Sequence, residues 1–298
     1  MKKICHIIGA GKVGQTFAWL LSEQEGWQLS HIVSSKLPKN AFGAEILADI
    51  ADLPPANVMI IATPDNAIEA VAEKMAQNTA VDSQTLVLHL SGAKTTAALA
   101  AVRQRGAMVG SLHPVFAFAD VAHAAAHLRG HLCALEAEQP QALAILQQLA
   151  EALGLQAFVL PSEYKARYHA ALSAASNFSV ALAAYAQNLL VPLDLPEALS
   201  RQLVCGLLQQ SVDNLEHLPP VQALTGPIVR GDDRTVAAHL SALNAAEQVR
   251  YHGWALATLD LAAARLSAEA MAKMQTVLAQ SLEAADEPAV SAQPQQAV

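Results

Sequence analysis

The run Lys3-Ile4-Cys5-His6-Ile7-Ile8-Gly9-Ala10-Gly11-Lys12-Val13-Gly14 decides the fold. Ile4 to Ile8 have the length of a buried strand, and Gly9-x-Gly11-x-x-Gly14 follows without a gap. Val13, Phe17, Ala18, Leu20 and Leu21 then carry a helical pattern. Strand, glycine turn and helix in that order are the context in which G-x-G-x-x-G binds a dinucleotide. Gly9 permits the tight turn, Gly11 lets the backbone approach a pyrophosphate, and Gly14 lets the helix lie close on the strand. The helix start at Lys12 and Val13 offers N–H groups and partial positive charge to the phosphates. A strand–helix turn with no ligand is the alternative.

Residues 27–33 read as a second strand, ending in Ser34-Ser35-Lys36. An Asp or Glu at this place would hold the ribose 2′-hydroxyl of NAD. The hydroxyls and lysine present instead suit a 2′-phosphate through charge-assisted hydrogen bonds, so NADP is the expected cofactor. An ordinary polar turn is the alternative. Residues 41–49 read as a short helix. A third strand at 57–62 runs into Thr63-Pro64-Asp65-Asn66, where Pro and Asp mark a helix start. Strand ends line the ligand crevice of an open parallel sheet, which puts Thr63 and Pro64 beside the cofactor.

Strands at 85–90, 107–112, 131–136 and 156–160, with helices between them, extend the pattern of a doubly wound α/β sheet. Two of them end in His89-Leu90-Ser91-Gly92 and His113-Pro114, directing His89, Ser91 and His113 toward one crevice. His123 and His127 share a helical face, as metal ligands can. Gly130 breaks the helix before His131 and no Cys or carboxylate lies near, so a solvated helix edge is expected and no metal.

The 298 residues suggest two domains, and 53% hydrophobic with 15% charged residues suffices for sizeable cores. A net charge of −8 lacks the positive footprint of a nucleic-acid binder and offers no basic cluster to a membrane surface. Cys5, Cys133 and Cys205 are far apart and fit neither a disulfide framework nor a zinc site. They suit a reducing compartment, and the apolar run after Lys2 and Lys3 is too short for a signal peptide, so a cytoplasmic location is expected. The most hydrophobic long stretch, 170–193, carries too many Ser, Asn and Gln for a membrane span and reads as a buried helix.

Strand signals vanish after Pro161. The expected division is a dinucleotide-binding domain at 1–160, a helical domain at 161–281 and a disordered tail at 282–298. Helices are expected at 162–190, 196–216, 233–243 and 247–266. On the first, Leu172, Ala175, Phe178, Leu182, Tyr185 and Leu189 form one apolar face. His169, Ser173 and Asn177 are spaced by four and share a narrow face. A polar stripe on an apolar helix costs free energy unless its groups find partners. Those partners are either a substrate or a buried polar network. An imidazole titrates near neutrality and can protonate a carbonyl oxygen as hydride reaches the carbon. In the loop 224–232, Gly226-Pro227 makes a sharp turn and Arg230 precedes Gly231-Asp232 at a helix start. Arg230 either clamps a carboxylate bidentately or pairs with Asp232 or Asp233.

Taken together, Gly9-x-Gly11-x-x-Gly14, Thr63-Pro64-Asp65, His89-Leu90-Ser91-Gly92, His113-Pro114, Tyr168-His169-Ala170-Ala171, Ser176-Asn177-Phe178 and Leu224-Thr225-Gly226-Pro227 with Arg230-Gly231-Asp232 resemble a known family. It comprises Rossmann-like NADP oxidoreductases whose C-terminal helical domain is catalogued as a domain of unknown function. These are distant relatives of the 6-phosphogluconate dehydrogenase and pyrroline-5-carboxylate reductase superfamily, and the likeness covers about residues 3–265. It implies an NADPH-linked reductase whose helical domain completes the active site and mediates homodimerisation. Some proteins of this appearance are associated with reduction of ketopantoate. The wider superfamily carries a catalytic lysine four residues before an asparagine; here Asn177 is kept and position 173 is serine.

The expected function is therefore NADPH-dependent reduction of a small carbonyl compound, a 2-keto acid such as ketopantoate, with a non-catalytic NADP-binding sensor or interaction protein as the alternative. Gly9, Gly11, Gly14, Lys12 and Val13 would hold the pyrophosphate, Ser34, Ser35 and Lys36 the 2′-phosphate, and Thr63, Pro64 and Ser91 the nicotinamide side. His169 would donate the proton, Ser173 and Asn177 would orient the carbonyl, and Arg230 would anchor a carboxylate.

Overall fold

The computed structural model describes residues 2–286. The chain divides into two compact units, residues 1–179 and 180–298.

The first unit is built on a nine-stranded sheet. Its elements are β1 (Lys3–Ile8), α1 (Lys12–Ser22), β2 (Trp27–Val33), β3 (Asn40–Ala41), β4 (Ala44–Leu47), β5 (Val58–Ile61), α2 (Ile68–Gln77), β6 (Leu86–His89), α3 (Ala100–Gln104), β7 (Met108–Pro114), α4 (Val121–His127), β8 (Leu132–Ala137), α5 (Pro140–Ala152), β9 (Gln156–Val159) and α6 (Lys165–Ser173). The strand order is β3-β4-β2-β1-β5-β6-β7-β8-β9. All pairs are parallel except β3 with β4 and β7 with β8. The expected doubly wound parallel sheet is thus present. Its central strands alternate between two cores, as a sheet covered on both faces must. Ile7, Val58, Ile60, Leu86 and Leu88 belong to one, and Ile8, Met59, Ile61 and Val87 to the other.

From β1 the chain moves outward through β2 and β4, then returns to β5 on the other side of β1. That reversal opens a crevice at the C-terminal ends of β1 and β5, the ligand position of open α/β sheets. Gly9 leaves β1 at φ +105°, and a Cβ there would lie 2.8 Å from the Ala62 carbonyl oxygen. A Cβ on Gly14 would lie 2.3 Å from the Gly9 carbonyl oxygen, so α1 sits directly on the turn.

Residues 41–49 are not the expected helix. Phe42 and Gly43 both have positive φ, 55° and 74°, and join β3 to β4 in a two-residue hairpin. Positive φ at both central residues is the signature of a type I′ turn, here carried by a Phe-Gly pair. β4 then runs parallel to β2, with His31 opposite Glu45. The boundary between units also differs from the expected 160. After a 3₁₀ turn at Ser162–Tyr164, α6 docks on the sheet and its residues count with the first unit.

The expected continuous helix 162–190 is interrupted by a π turn at Ala174–Phe178 before α7 (Ser179–Leu189). It is also less buried than expected: Tyr185 is buried, but Phe178 is 55% exposed. The second unit holds α7, α8 (Glu197–His217), α9 (Pro220–Ala223), α10 (Asp233–Ala242), α11 (Ala245–Ala262) and α12 (Ala268–Asp286), the last mostly inside the expected helical domain but beyond the individual helices expected from the sequence. Val229, Val236, Leu240, Ala255, Leu259 and Met274 form its core. Of the tail expected at 282–298, residues 282–286 continue α12, and 287–298 lie outside the described residues. No helix among the described residues is long and apolar enough to cross a membrane. Cys5, Cys133 and Cys205 are all free thiols.

Candidate active site

The glycine turn presents its open side at Gly11. A Cβ added there meets nothing within 4 Å, in contrast to Gly9 and Gly14. Gly11 caps α1 with extended backbone, and the N–H groups of Lys12, Val13 and Gly14 open the helix. The first N–H to bond back into the helix is that of Gln15, to Gly11 O at 2.9 Å. Across the crevice, Thr63 Oγ1 is buried without a hydrogen-bond partner. An orphaned hydroxyl beside free helix N–H groups fits a phosphate-bearing ligand. After β2, Ser34 N–H bonds Leu47 O at 3.0 Å and Lys36 N–H bonds Ser34 Oγ at 3.1 Å, while Ser35 and Lys36 are exposed.

The loop after β6 is locked from within. His89 Nε2 meets Thr95 O at 3.1 Å, and its Nδ1 accepts from Ser91 N–H at 3.2 Å. An N–H donor on one side and a carbonyl on the other require the neutral tautomer with the proton on Nε2. Burial, then the nearby Lys165 charge, pushes His89 down to about 4. Ser91 donates to Asp65 Oδ2 at 2.7 Å and accepts from Ala93 N–H and Lys94 N–H. Both residues hold the loop's shape. The hydroxyl that the sequence assigns to the nicotinamide side is already engaged.

His113, His169, Ser173 and Asn177 line one cavity of about 300 Å³. Ser176 joins them, because the π turn that starts at Ala174 adds a residue to that helical turn and shifts the register beyond Ser173. π turns inside helices recur at functional sites. His113 Nδ1 lies 2.9 Å from the Tyr168 hydroxyl. The rings of His113 and His169 stand 6.2 Å apart. A Cβ on Gly92 would lie 2.7 Å from His113 Nε2 and 2.8 Å from His169 Cδ2, so only glycine lets both rings sit against this backbone. Burial, then the charge of His169, pushes His113 down to about 4.

The geometry rests on residues to which the sequence reading gave no role. Lys165 is buried, forms an ion pair with Glu136 Oε2 at 2.7 Å and donates to Ser111 Oγ. Ser111 and Glu136 face each other across β7 and β8. Ser111 and His113 are two residues apart on β7 and Lys165 and Tyr168 one turn apart on α6, so two parallel contacts dock the helix on the strand. Glu136 Oε1 also accepts from Thr96 N–H at 2.9 Å and from Ser162 Oγ at 2.7 Å. Burial alone would raise the Glu136 pKa, but Lys165, Thr96 and Ser162 together hold it below the ordinary value. Burial lowers Lys165, and Glu136 offsets part of that. A lone glutamate inside the apolar run 132–137 is the sequence signal that a buried cation is needed.

Arg230 lies in the second unit, exposed, on the turn before α10. Asp232 caps that helix, accepting from Thr235 N–H at 3.1 Å and Thr235 Oγ1 at 2.7 Å. Among the described residues no group of three His, Cys, Asp or Glu side chains could hold a metal ion. His123 and His127 stack at 4.2 Å, and His131 packs edge-on to Phe116.

Residues 2–114 match the Rossmann-like domain, and residues 131–258 match a domain of unknown function, DUF2520. The chain thus joins a Rossmann-like domain to a DUF2520 domain. The second match begins before β8, so the last two strands fall within it. A structure named as a putative NADP oxidoreductase from Bacteroides fragilis is similar at 21% identity with a TM-score of 0.72, over 87% of this chain and 98% of that one. A Thermotoga maritima protein is similar at 23% identity and TM-score 0.61, over 93% and 98%. Plasmodium falciparum pyrroline carboxylate reductase with NADP bound is similar at 9% identity and TM-score 0.59, over 92% and 98%. No curated protein matches the chain in sequence.

Two measurements test this anatomy. Unfolded chains protonate His89 and His113 near 6.5, whereas the folded protein resists until about 4. The unfolded state therefore binds more protons in that window. Stability should fall as pH drops from about 6.5 to about 4, by up to about 3 kcal/mol per histidine at about 1.4 kcal/mol per pH unit. Urea unfolding across that range checks this, and a flat profile contradicts it. Lys165→Met should destabilise the first unit by about 3–5 kcal/mol, because it strands a buried carboxylate. Adding Glu136→Gln should recover part of the loss, because it removes the buried charge and keeps an oxygen for Thr96 N–H and Ser162 Oγ.

Proposed function

We propose that the protein is an NADPH-dependent reductase of a small carbonyl compound, with a 2-keto acid such as ketopantoate as the leading candidate. The observation that carries the reading is the pairing of two features at one edge of the sheet. The first is the glycine turn with Gly11 open at the start of α1. The second is a cavity in which His113 and His169 stand side by side. The glycine turn and the N–H groups of Lys12 and Val13 would hold the pyrophosphate of NADPH. Ser34, Ser35 and Lys36 would hold its 2′-phosphate, and Thr63 its nicotinamide side. When bound, NADPH supplies the hydride that reduces the carbonyl carbon.

The chain's own task is the proton. His169, in the cavity, gives a proton to the carbonyl oxygen as charge develops there. Ser173 and Asn177, lining the same wall, supply hydrogen bonds that orient that oxygen. The names of the structural neighbours, an NADP oxidoreductase and a pyrroline carboxylate reductase among them, support an NADP-dependent reductase in general, and a cyclic imine could use the same cavity. NADPH consumption against a panel of 2-keto acids and cyclic imines is the test. Turnover with NADPH preferred over NADH is expected, and His169→Ala should lower kcat about 100-fold while NADPH binding persists. Tight NADPH binding with no turnover on any member would favour a sensor, to which the absence of a lysine at position 173 also points.

We also propose that a second copy of the chain covers α8. None of the 21 residues of α8 is buried, and Leu203, Leu207 and Leu215 are at least half exposed. With Leu182, Ala186 and Leu189 of α7, this face borders an apolar groove of about 580 Å³. Exposed apolar faces of this kind mark association sites. Light scattering should give a dimer, and Leu207→Glu a monomer. A monomeric wild-type chain would refute the pairing.

A further inference from the structure

We propose that Tyr168 is a positioning residue that fixes His113 as the neutral tautomer with its proton on Nε2. His113 then gives a hydrogen bond to the carbonyl oxygen that His169 protonates. The second part of this inference rests on the reductase reading; the first does not.

The tautomer follows from acid strength. Tyr168 and His113 Nδ1 are 2.9 Å apart, and one of them must donate. A phenol is a far stronger acid than a neutral imidazole N–H, and an imidazole nitrogen is a far better base than a phenol oxygen. The favourable pairing is therefore Tyr168 O–H to Nδ1, which leaves the ring proton on Nε2. The environment keeps both partners in the required form. Burial pushes the Tyr168 phenol up to about 12, so it retains the proton it donates. Burial and the charge of His169 keep His113 neutral down to about 4.

The ring is also fixed in space. Tyr168 sits one turn after Lys165, whose ammonium is pinned to Glu136 and Ser111. Its ring meets His113 edge-on at 5.6 Å, and Phe158 packs against it at 6.1 Å. His113 lines the cavity, and its Nε2 has no hydrogen-bond partner among the described residues. Gly92 lies under the Nε2 edge of His113 and the Cδ2 edge of His169, so both rings rest on one stretch of backbone.

Two adjacent histidines with one job each solve a charge problem. Two imidazolium rings here would repel, whereas one neutral donor beside one acid would not. In the reduction the carbonyl carbon gains a hydride, the oxygen gains the proton that leaves protonated His169, and His113 keeps its own proton throughout. A preorganised neutral donor aimed at a developing oxyanion is a recurrent source of rate.

The test begins without cofactor or substrate. In the unliganded protein, with histidine labelled with ¹⁵N, long-range proton–nitrogen spectra report the tautomer of each ring. At neutral pH His113 should show a protonated Nε2 and an unprotonated, hydrogen-bonded Nδ1. In Tyr168→Phe the two tautomers should mix. A wild-type His113 protonated on Nδ1 overturns the proposal, as does a Tyr168→Phe spectrum identical to wild type. Should Tyr168→Phe fail to fold, the wild-type spectrum alone decides. In turnover, Tyr168→Phe should lower kcat about 10-fold or more with the KM for NADPH unchanged. Unchanged kcat would remove His113 from the reaction. The expected tautomer in a protein that reduces nothing would refute the reductase reading and leave the Tyr168–His113 lock standing.

Discussion

One buried ammonium group, Lys165 Nζ, sets the geometry of the candidate site. It bridges Ser111 and Glu136, which face each other across the antiparallel pair β7 and β8. The same carboxylate gathers Thr96 from the loop after β6 and Ser162 from the turn before α6. Four segments that are distant in sequence therefore meet at one charge pair. Hydrophobic residues of similar volume could hold the helix as firmly. They would not fix its rotation, because apolar contacts are non-directional. Tyr168 and His169 project from the next turn of the same helix, so any rotation of α6 moves both relative to His113.

The sheet imposes the second constraint. Because the strand order reverses between β4 and β5, the connections that leave the paired ends of β1 and β5 go to opposite faces, α1 onto one core and α2 onto the other, and leave a crevice between them. Gly9 and Gly14 close that corner so tightly that a methyl group at either would strike a carbonyl oxygen. Gly11, between them, faces open space. Three glycines of one motif thus differ in function: two serve packing, and the third leaves the backbone accessible. β6 and β7 end at the same edge as β1 and β5, which places the histidine cavity on the crevice side of the sheet.

β5 was legible because a strand buried on both faces leaves a plain apolar run, and 57–62 differs from it by one residue at each end; β2 reads as it folds at 27–33 although Gln28 on it is exposed. The β3–β4 hairpin was not, since Phe42 adopts a positive φ that aromatic residues seldom take. Nor does a sequence announce a π turn. His169, Ser173 and Asn177 do line one cavity, as their spacing suggests, but the register slip that adds Ser176 appears only in the folded helix. The lysine expected at position 173 is absent. The lysine that matters to the geometry is two turns earlier, 1% exposed and bound to a carboxylate, so it cannot substitute for an acid facing substrate.

His89 and His113 illustrate why burial alone does not identify a functional histidine. Both end parallel strands at the same edge, and both are pushed down to about 4. The difference lies in their nitrogens. His89 has one nitrogen on Thr95 O and the other on Ser91 N–H, so the ring is saturated and can only hold the loop. His113 has one nitrogen on Tyr168 and the other at a cavity wall. A buried ring with both nitrogens engaged is a structural element. A half-buried ring whose engaged nitrogen accepts from a hydroxyl has a fixed tautomer and a donor left to give. At this edge of the sheet only the second kind lines the cavity, and it shares that wall with His169.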